Sequence, residues 1–248
     1  MSTYLLVHAR WYGAWCWDRL SDRLRRAGNT VVTPDRAGLD EIRDLVETQA
    51  EPVVLVGHSS SGMIISALGE LVPHRVRLLV YVSAFLLPNG ITPPDIAAGD
   101  SESLLREHLV VDPARGTVTV TEPDKVFMAD CVPVDATWAA SRLVAEPLLP
   151  PGDRCVILTD GNFGSVPRAY VECLNDRALG PAAQRRMHTM TRCRHVYQLA
   201  ADHSPFLSDP DGLTDCLLDA TARFSRGDKD RCPGEAELAD IRIRAETA

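Results

Sequence analysis

VVLVGHSSSGM, residues 53 to 63, decides how this chain is read. Four apolar residues, Val53 to Val56, form a buried strand, and Gly57-His58-Ser59 follows at once, then Ser60, Ser61 and Gly62. The apolar set Met63, Ile64, Ile65, Ala67, Leu68 and Leu71 then continues as a buried helix. A serine at the apex of strand, sharp turn and helix has the context of a nucleophile elbow. The turn holds the hydroxyl clear of the backbone. The helix start offers N–H groups and a positive dipole end to a developing oxyanion. One position departs from G-x-S-x-G: Ser61 stands where the second glycine belongs, a place that must be small for strand and helix to approach. The competing reading, a phosphate-cradling turn, lacks the G-K-[ST] ending of a P-loop.

A nucleophilic serine needs a base and a carboxylate. Of the seven histidines, His8, His58, His74, His108, His188, His195 and His203, only His203 lies in a loop directly after a late apolar strand (195–199). A last helix follows, with Ser208-Asp209-Pro210 as its start. His188 belongs to a basic helical stretch expected to be solvated, and His195 opens the strand. His58 abuts Ser59, but adjacent side chains in a tight elbow point apart, so it is expected to pack or to support others. For the acid, Pro167 to Cys173 reads as a strand with proline tolerated at its first position. Functional groups gather outside the carboxyl ends of strands in open α/β sheets, so Asp176 in the following loop is the choice, against a plain turn aspartate. Asp202 touches His203 in sequence and is given a supporting role. A second oxyanion donor must come from a loop after an earlier strand. Residues 4–8 form that strand, and the amides of Arg10 and Ser60 are the expected pair.

The rest of the chain alternates. A strand at 4–8 precedes a helix near 14–26, and a strand at 30–33 precedes a short amphipathic helix carrying Ile42, Leu45 and Val46. Strand 53–56, helix 60–71 and strand 76–83 follow. Residues 86–166 break the rhythm and read as a cap over the carboxyl edge of the sheet. Strand 168–173, a helix near 181–191, strand 195–199 and helix 209–225 resume the core. This divides the chain into a core at 1–85 and 167–225, a cap at 86–166 and a charged tail at 226–248. In the tail, Leu238, Ile241 and Ile243 are suited to packing on a partner, a homodimer being one arrangement.

LVHARWYGAWCW, GHSSSGM, FMADCVPVDATWA and ADHSPFLSDP, in series, resemble the plant methylesterases, hydroxynitrile lyases and bacterial esterases of the α/β-hydrolase superfamily, over about residues 3 to 225. The resemblance implies an α/β fold with a mostly parallel central sheet flanked by helices, and an inserted cap. It also implies a serine hydrolase acting on a small-molecule ester, with no cofactor and no metal. Ser59, Asp176 and His203 match the family's catalytic triad, and Arg10 and Ser60 its oxyanion donors. Candidates for the substrate pocket are Ala9, Trp11, Tyr12, Phe85, Leu86, Phe127, Met128, Trp138 and Leu143, each of which serves a packed core equally well. The departures are Ala9 after His8, where the family has glycine, Ser61 in place of the first of two glycines, and a shortened 34–52 connection. A lyase or cyclase tailoring a natural product fits the same three residues. Cyanogenic lyases carry threonine at position 9 and lysine at position 204, where this chain has Ala9 and Ser204. A ligand receptor on the same scaffold would not need to keep a nucleophile, base and acid together.

Composition narrows the classes further. The chain has 248 residues, is 45% hydrophobic and 24% charged, and carries a net charge of −8, which opposes a nucleic-acid surface. The basic cluster Arg23, Arg25 and Arg26 reads as the solvated face of a helix. No stretch approaches the ~18 apolar residues of a membrane span. The first residues pass straight into a strand, without the pattern of a signal peptide. Seven scattered cysteines fit reduced thiols in a cytoplasm better than a disulfide framework. Cys193 and His195 alone make no metal site.

Overall fold

The computed structural model describes residues 1–148 and 157–225. The tail read at 226–248, and the part of the cap from 149 to 156, lie outside the described residues. In chain order the first elements are β1 (Thr3–Val7), α1 (Asp18–Arg26), β2 (Thr30–Val32), α2 (Leu39–Glu47), β3 (Val53–His58), α3 (Ser61–Leu71) and β4 (Val76–Val82). An inserted region follows, with α4 (Pro93–Ala98), α5 (Leu105–His108), β5 (Leu109–Asp112), β6 (Thr117–Val120), α6 (Pro123–Phe127), α7 (Pro133–Ala140) and β7 (Glu146–Pro147). The chain then resumes with β8 (Arg168–Cys173), α8 (Pro181–Met190), β9 (His195–Leu199), α9 (Pro205–Ser208) and α10 (Pro210–Ser225).

Six strands form one parallel sheet in the order β2-β1-β3-β4-β8-β9. Every residue of β3 is buried, as required of a central strand covered on both faces. Successive side chains of a strand point to opposite faces, and the core divides accordingly. Tyr4, Leu6, Val54, Val56 and Val80 join Leu20 and Leu24 of α1 and Leu213 and Leu217 of α10. Leu5, Val7, Val53, Leu55 and Tyr81 join Ile42 and Val46 of α2, Ile65 and Leu68 of α3 and Met187 of α8. At roughly 1.5–3 kcal/mol per fully buried large apolar side chain, these two layers carry most of the favourable free energy of folding.

The strand order reverses between β1 and β3, since β1 leads outward to β2 whereas β3 leads the other way to β4. Loops leaving the carboxyl ends of two such strands diverge and leave a crevice between them. Ala9–Gly13 after β1 and Ser59 after β3 flank that crevice. The inserted region packs beside it through Val126, Phe127, Met128, Ala136 and Ala139, all buried in the α1/α10 layer. Its three-stranded sheet pairs β5 with β6 and β6 with β7. Arg19 of α1 grips Asp135 of α7 with two hydrogen bonds of 2.7 Å. The pair is partly exposed, so it orients the insertion more than it stabilises it. Among the described residues, no helix is long and apolar enough to cross a membrane.

Candidate active site

β3 ends at His58 and α3 begins at Ser61, so Ser59 is the residue at which the chain reverses. Its φ of 51° lies in the left-handed region, a conformation that costs a non-glycine residue about 1–3 kcal/mol and persists only where the surroundings enforce it. Three backbone bonds do so: Ser59 N donates to Val82 O at 3.3 Å, while Ser59 O accepts from Phe85 N at 2.9 Å and from Gly62 N at 3.1 Å. The closest approach falls on Gly62, where a Cβ would sit 2.3 Å from Phe85 O. At Ser61 a side chain fits because its hydroxyl lies 2.7 Å from Val7 O and 2.8 Å from His58 O. The extra atoms relative to glycine thus help satisfy carbonyls at two strand ends.

The candidate base and acid come from neighbouring strand ends. Asp176 follows β8 and His203 follows β9, and both are buried. His203 Nδ1 donates to Asp176 Oδ2 at 2.7 Å, which leaves Nε2 as the accepting nitrogen of a neutral ring. The carboxylate is held from several sides. Oδ1 accepts from the amides of Ala178 at 2.7 Å and Leu179 at 2.9 Å. Oδ2 also receives the Ser83 hydroxyl and lies 3.4 Å from Gln184 Nε2.

Asp202 points elsewhere. Its Oδ1 accepts from Ser204 N at 2.9 Å and Ser208 Oγ at 2.8 Å, and its Oδ2 accepts from Asp130 N at 2.8 Å. It therefore ties the base loop to the inserted region. Burial raises its carboxyl above the ordinary range. His58 supports the base directly, its Nε2–H donating to His203 O at 2.7 Å. Burial, followed by the proximity of His203, pushes its imidazole well below the usual range, which favours the neutral ring.

The loop after β1 meets the elbow through a contact the sequence did not signal. Arg10 N donates to Ser60 Oγ at 2.9 Å, so the hydroxyl of the residue after Ser59 occupies the Arg10 amide. The loop is fastened to the insertion: Val144 N donates to Trp11 O at 3.0 Å, Trp11 Nε1 to Val118 O at 3.1 Å and the Arg10 guanidinium to Pro147 O at 2.7 Å. Trp11 has a φ of 67°, a left-handed conformation held by these bonds.

Of the pocket candidates, Trp11, Tyr12 and Phe127 gather around the base. Phe127 lies 5.5 Å from the His203 ring and 5.7 Å from both Trp11 and Tyr12. Tyr12 is buried, its hydroxyl 2.8 Å from Ser204 Oγ. Ala9 and Met128 are buried in the same layer, and Leu143 packs against it. Phe85, bonded to Ser59 through its amide, and Leu86 belong to the opposite layer.

One expectation is corrected, at His188. Trp138 is one ring removed from the base: it meets Trp15 edge to face at 5.2 Å, and Trp15 stacks on Tyr12 at 5.7 Å. It also carries Arg142 over its ring and lines a groove with Arg19, Val134 and Leu207. His188 is not solvated but packs 5.2 Å from the Tyr170 ring and 3.9 Å from buried Glu172. Among the described residues, no group of three or more His, Cys, Asp or Glu is placed to hold a metal ion.

A serine at a strained strand–helix apex, and a hydrogen-bonded histidine and buried carboxylate at the ends of two further strands of the same sheet, are the arrangement the structure presents. The chain belongs to the alpha/beta hydrolase family, whose model matches residues 4–215. Among its relatives, Putative methylesterase 11, chloroplastic, of Arabidopsis thaliana is 29% identical over 252 residues, covering 90% of this chain and 64% of that protein. The chain thus spans slightly less than two thirds of that relative's length. Esterase PIR7B of Oryza sativa subsp. japonica is 28% identical, covering 89% of this chain and 96% of that protein. In fold the chain is similar to tomato Methylketone Synthase I complexed with 2-tridecanone, with a TM-score of 0.80, 22% identity, and coverage of 90% of this chain and 98% of that one.

Proposed function

We propose that the protein is a serine hydrolase that cleaves a carboxylic ester of a small or medium-sized apolar substrate through an acyl-enzyme. The observation that carries this reading is the His203–Asp176 bond beside the strained apex at Ser59. It sets the ring tautomer so that Nε2 can accept the Ser59 proton. Ser59 Oγ attacks the ester carbonyl as His203 takes its proton, and Asp176 stabilises the resulting imidazolium. The amides of Arg10 and Ser60 receive the oxyanion, the Ser60 hydroxyl turning aside from Arg10 N as the substrate oxygen arrives. An oxyanion donor of this kind is worth about 3 kcal/mol. The intermediate collapses as His203 returns the proton to the leaving alkoxide. Water, activated by His203, then adds to the acyl carbonyl and releases the acid and free Ser59. The esterase and methylesterase names of the relatives support the same class.

The alternative use of these residues, cleavage of a cyanohydrin, needs a cation beside the base for the departing cyanide. Ser204 is fully buried and its hydroxyl is bonded to Tyr12, so that position holds no cation. Hydrolysis of 4-nitrophenyl acetate and butyrate and of phenylacetate methyl ester is therefore expected, with no cyanide released from mandelonitrile above the buffer rate. Cyanide release abolished by Ser59→Ala, without ester turnover, would replace hydrolysis by lyase chemistry. Inactivity on both classes, with Ser59 still reactive to a fluorophosphonate, would favour a tailoring reaction on a larger substrate.

A further inference from the structure

Ser83 is the first residue beyond β4 and is fully buried. Its backbone takes a φ of 40°, a left-handed conformation that an L-residue adopts only when the surroundings hold it there. The surroundings here are specific. Ser83 N donates to Val171 O at 2.9 Å. The Tyr170 hydroxyl clamps the next residue, accepting from Ala84 N at 3.1 Å and donating to Ala84 O at 2.8 Å. Phe85 N then donates to Ser59 O. One three-residue turn thus touches the nucleophile at one end and the acid at the other, because the Ser83 hydroxyl donates to Asp176 Oδ2. That oxygen is the one that accepts from His203 Nδ1, and Ser83 Oγ itself lies 3.5 Å from Nδ1.

We infer that Ser83 is a positioning residue that acts on the base through Asp176, fixing the plane of the carboxylate and setting how much of its charge faces His203. The inference rests on the triad proposed above. A hydroxyl that donates to Oδ2 draws negative charge from the same oxygen that faces the ring. Without it, Asp176 holds more charge for an imidazolium but is less restrained in angle, with the Ala178 and Leu179 amides on Oδ1 and the long Gln184 contact remaining. The first change favours protonation of His203. The second lowers the fraction of rings aligned for proton transfer. The other titratable groups around the pair are His58 from β3, Tyr170 and Cys173 from β8, Asp100 from the inserted region, Tyr12 from the loop after β1 and Asp202 on the base loop. None of them donates to Asp176 Oδ2, so Ser83 is the only hydroxyl donor to that oxygen among the described residues.

The test compares Ser83→Ala and Ser83→Gly with the parent enzyme on 4-nitrophenyl acetate, over a range of pH. Glycine removes the hydroxyl while suiting the positive φ, so it keeps the test valid if the alanine variant folds poorly. For both variants kcat is expected to fall roughly tenfold with KM within about twofold. The acid limb of kcat/KM is expected to move to higher pH by about half a unit. The low-field proton resonance of the His203–Asp176 hydrogen bond should move with it. A folded Ser83→Gly whose acid limb and proton resonance match the parent overturns the inference even if kcat falls, because a structural loss moves neither. Asp176→Asn is measured beside them. Full activity in that variant would remove the triad itself, and the Ser83 role with it, whereas its inactivity together with an unshifted Ser83→Gly confines the failure to Ser83.

Discussion

Ser59→Ala is expected to abolish ester turnover, with a loss in kcat on the order of 10⁴-fold or more, and to abolish labelling by a fluorophosphonate. The fold should remain intact, since the substitution removes one oxygen from a residue whose backbone bonds, not its hydroxyl, hold the elbow. Alanine at φ 51° is strained to a similar degree as serine, so thermal unfolding should change little. Ser60→Ala and Ser61→Ala are expected to keep most of the activity. Ser60 contributes its amide, which the substitution retains, and its hydroxyl, bonded to Arg10 N, is no part of the proposed chemistry. Inactivity of either variant alongside an active Ser59→Ala would move the nucleophile one or two residues along the turn.

The acid gives the second large effect. Asp176→Asn should lower kcat by about 10⁴-fold with little change in KM. An amide nitrogen facing His203 Nδ1 cannot accept its proton, so the ring turns to the wrong tautomer. If the amide oxygen faces Nδ1 instead, the nitrogen meets the donating amides of Ala178 and Leu179. Asp202→Asn has a different expectation. Its carboxylate accepts from two backbone amides and the Ser208 hydroxyl and makes no bond to the His203 ring. An asparagine there must set N–H against N–H, at about 1–3 kcal/mol of stability, measurable by urea denaturation, with a far smaller loss in kcat. The reverse ranking in kcat would assign the acid to Asp202.

Much of this was legible in the sequence, and for physical reasons. The Val53–Val56 run and the glycine-serine apex mark the elbow because a central parallel strand must be apolar on both faces. The strands at 168–173 and 195–199 were equally plain, and the loops beyond their carboxyl ends hold Asp176 and His203, the proposed acid and base. The antiparallel strands β5 and β6 were not seen. Leu109, Val110 and Val111 are exposed, so no alternation of buried and solvated residues marks them. The last helix was read from 209 and runs as α10 from Pro210, with Asp209 Oδ1 accepting from Gly212 N at its start; the short α9 before it was not seen. His188 was misplaced because its partners, Tyr170 and Glu172, lie on a strand, and local spacing carries no record of which helix face meets which strand. Ser83 left a usable signal, a serine directly after strand 76–83 at a carboxyl end, where polar residues serve the crevice. The hydroxyl of Ser60 left none, because its contact with Arg10 depends on how two loops from different strands converge.

The covalent step is the core of the proposed function, and one measurement reaches it directly. The enzyme is mixed with excess 4-nitrophenyl butyrate, quenched in acid within the first turnovers and digested, and the peptide spanning residues 44–75 is sequenced by tandem mass spectrometry. A butyryl group on Ser59 is expected, accompanied by a burst of nitrophenol close to one equivalent of enzyme when deacylation is the slower step. A nitrophenol burst with no acyl group on Ser59, or an acyl group on Ser60 or Ser61 instead, would contradict it.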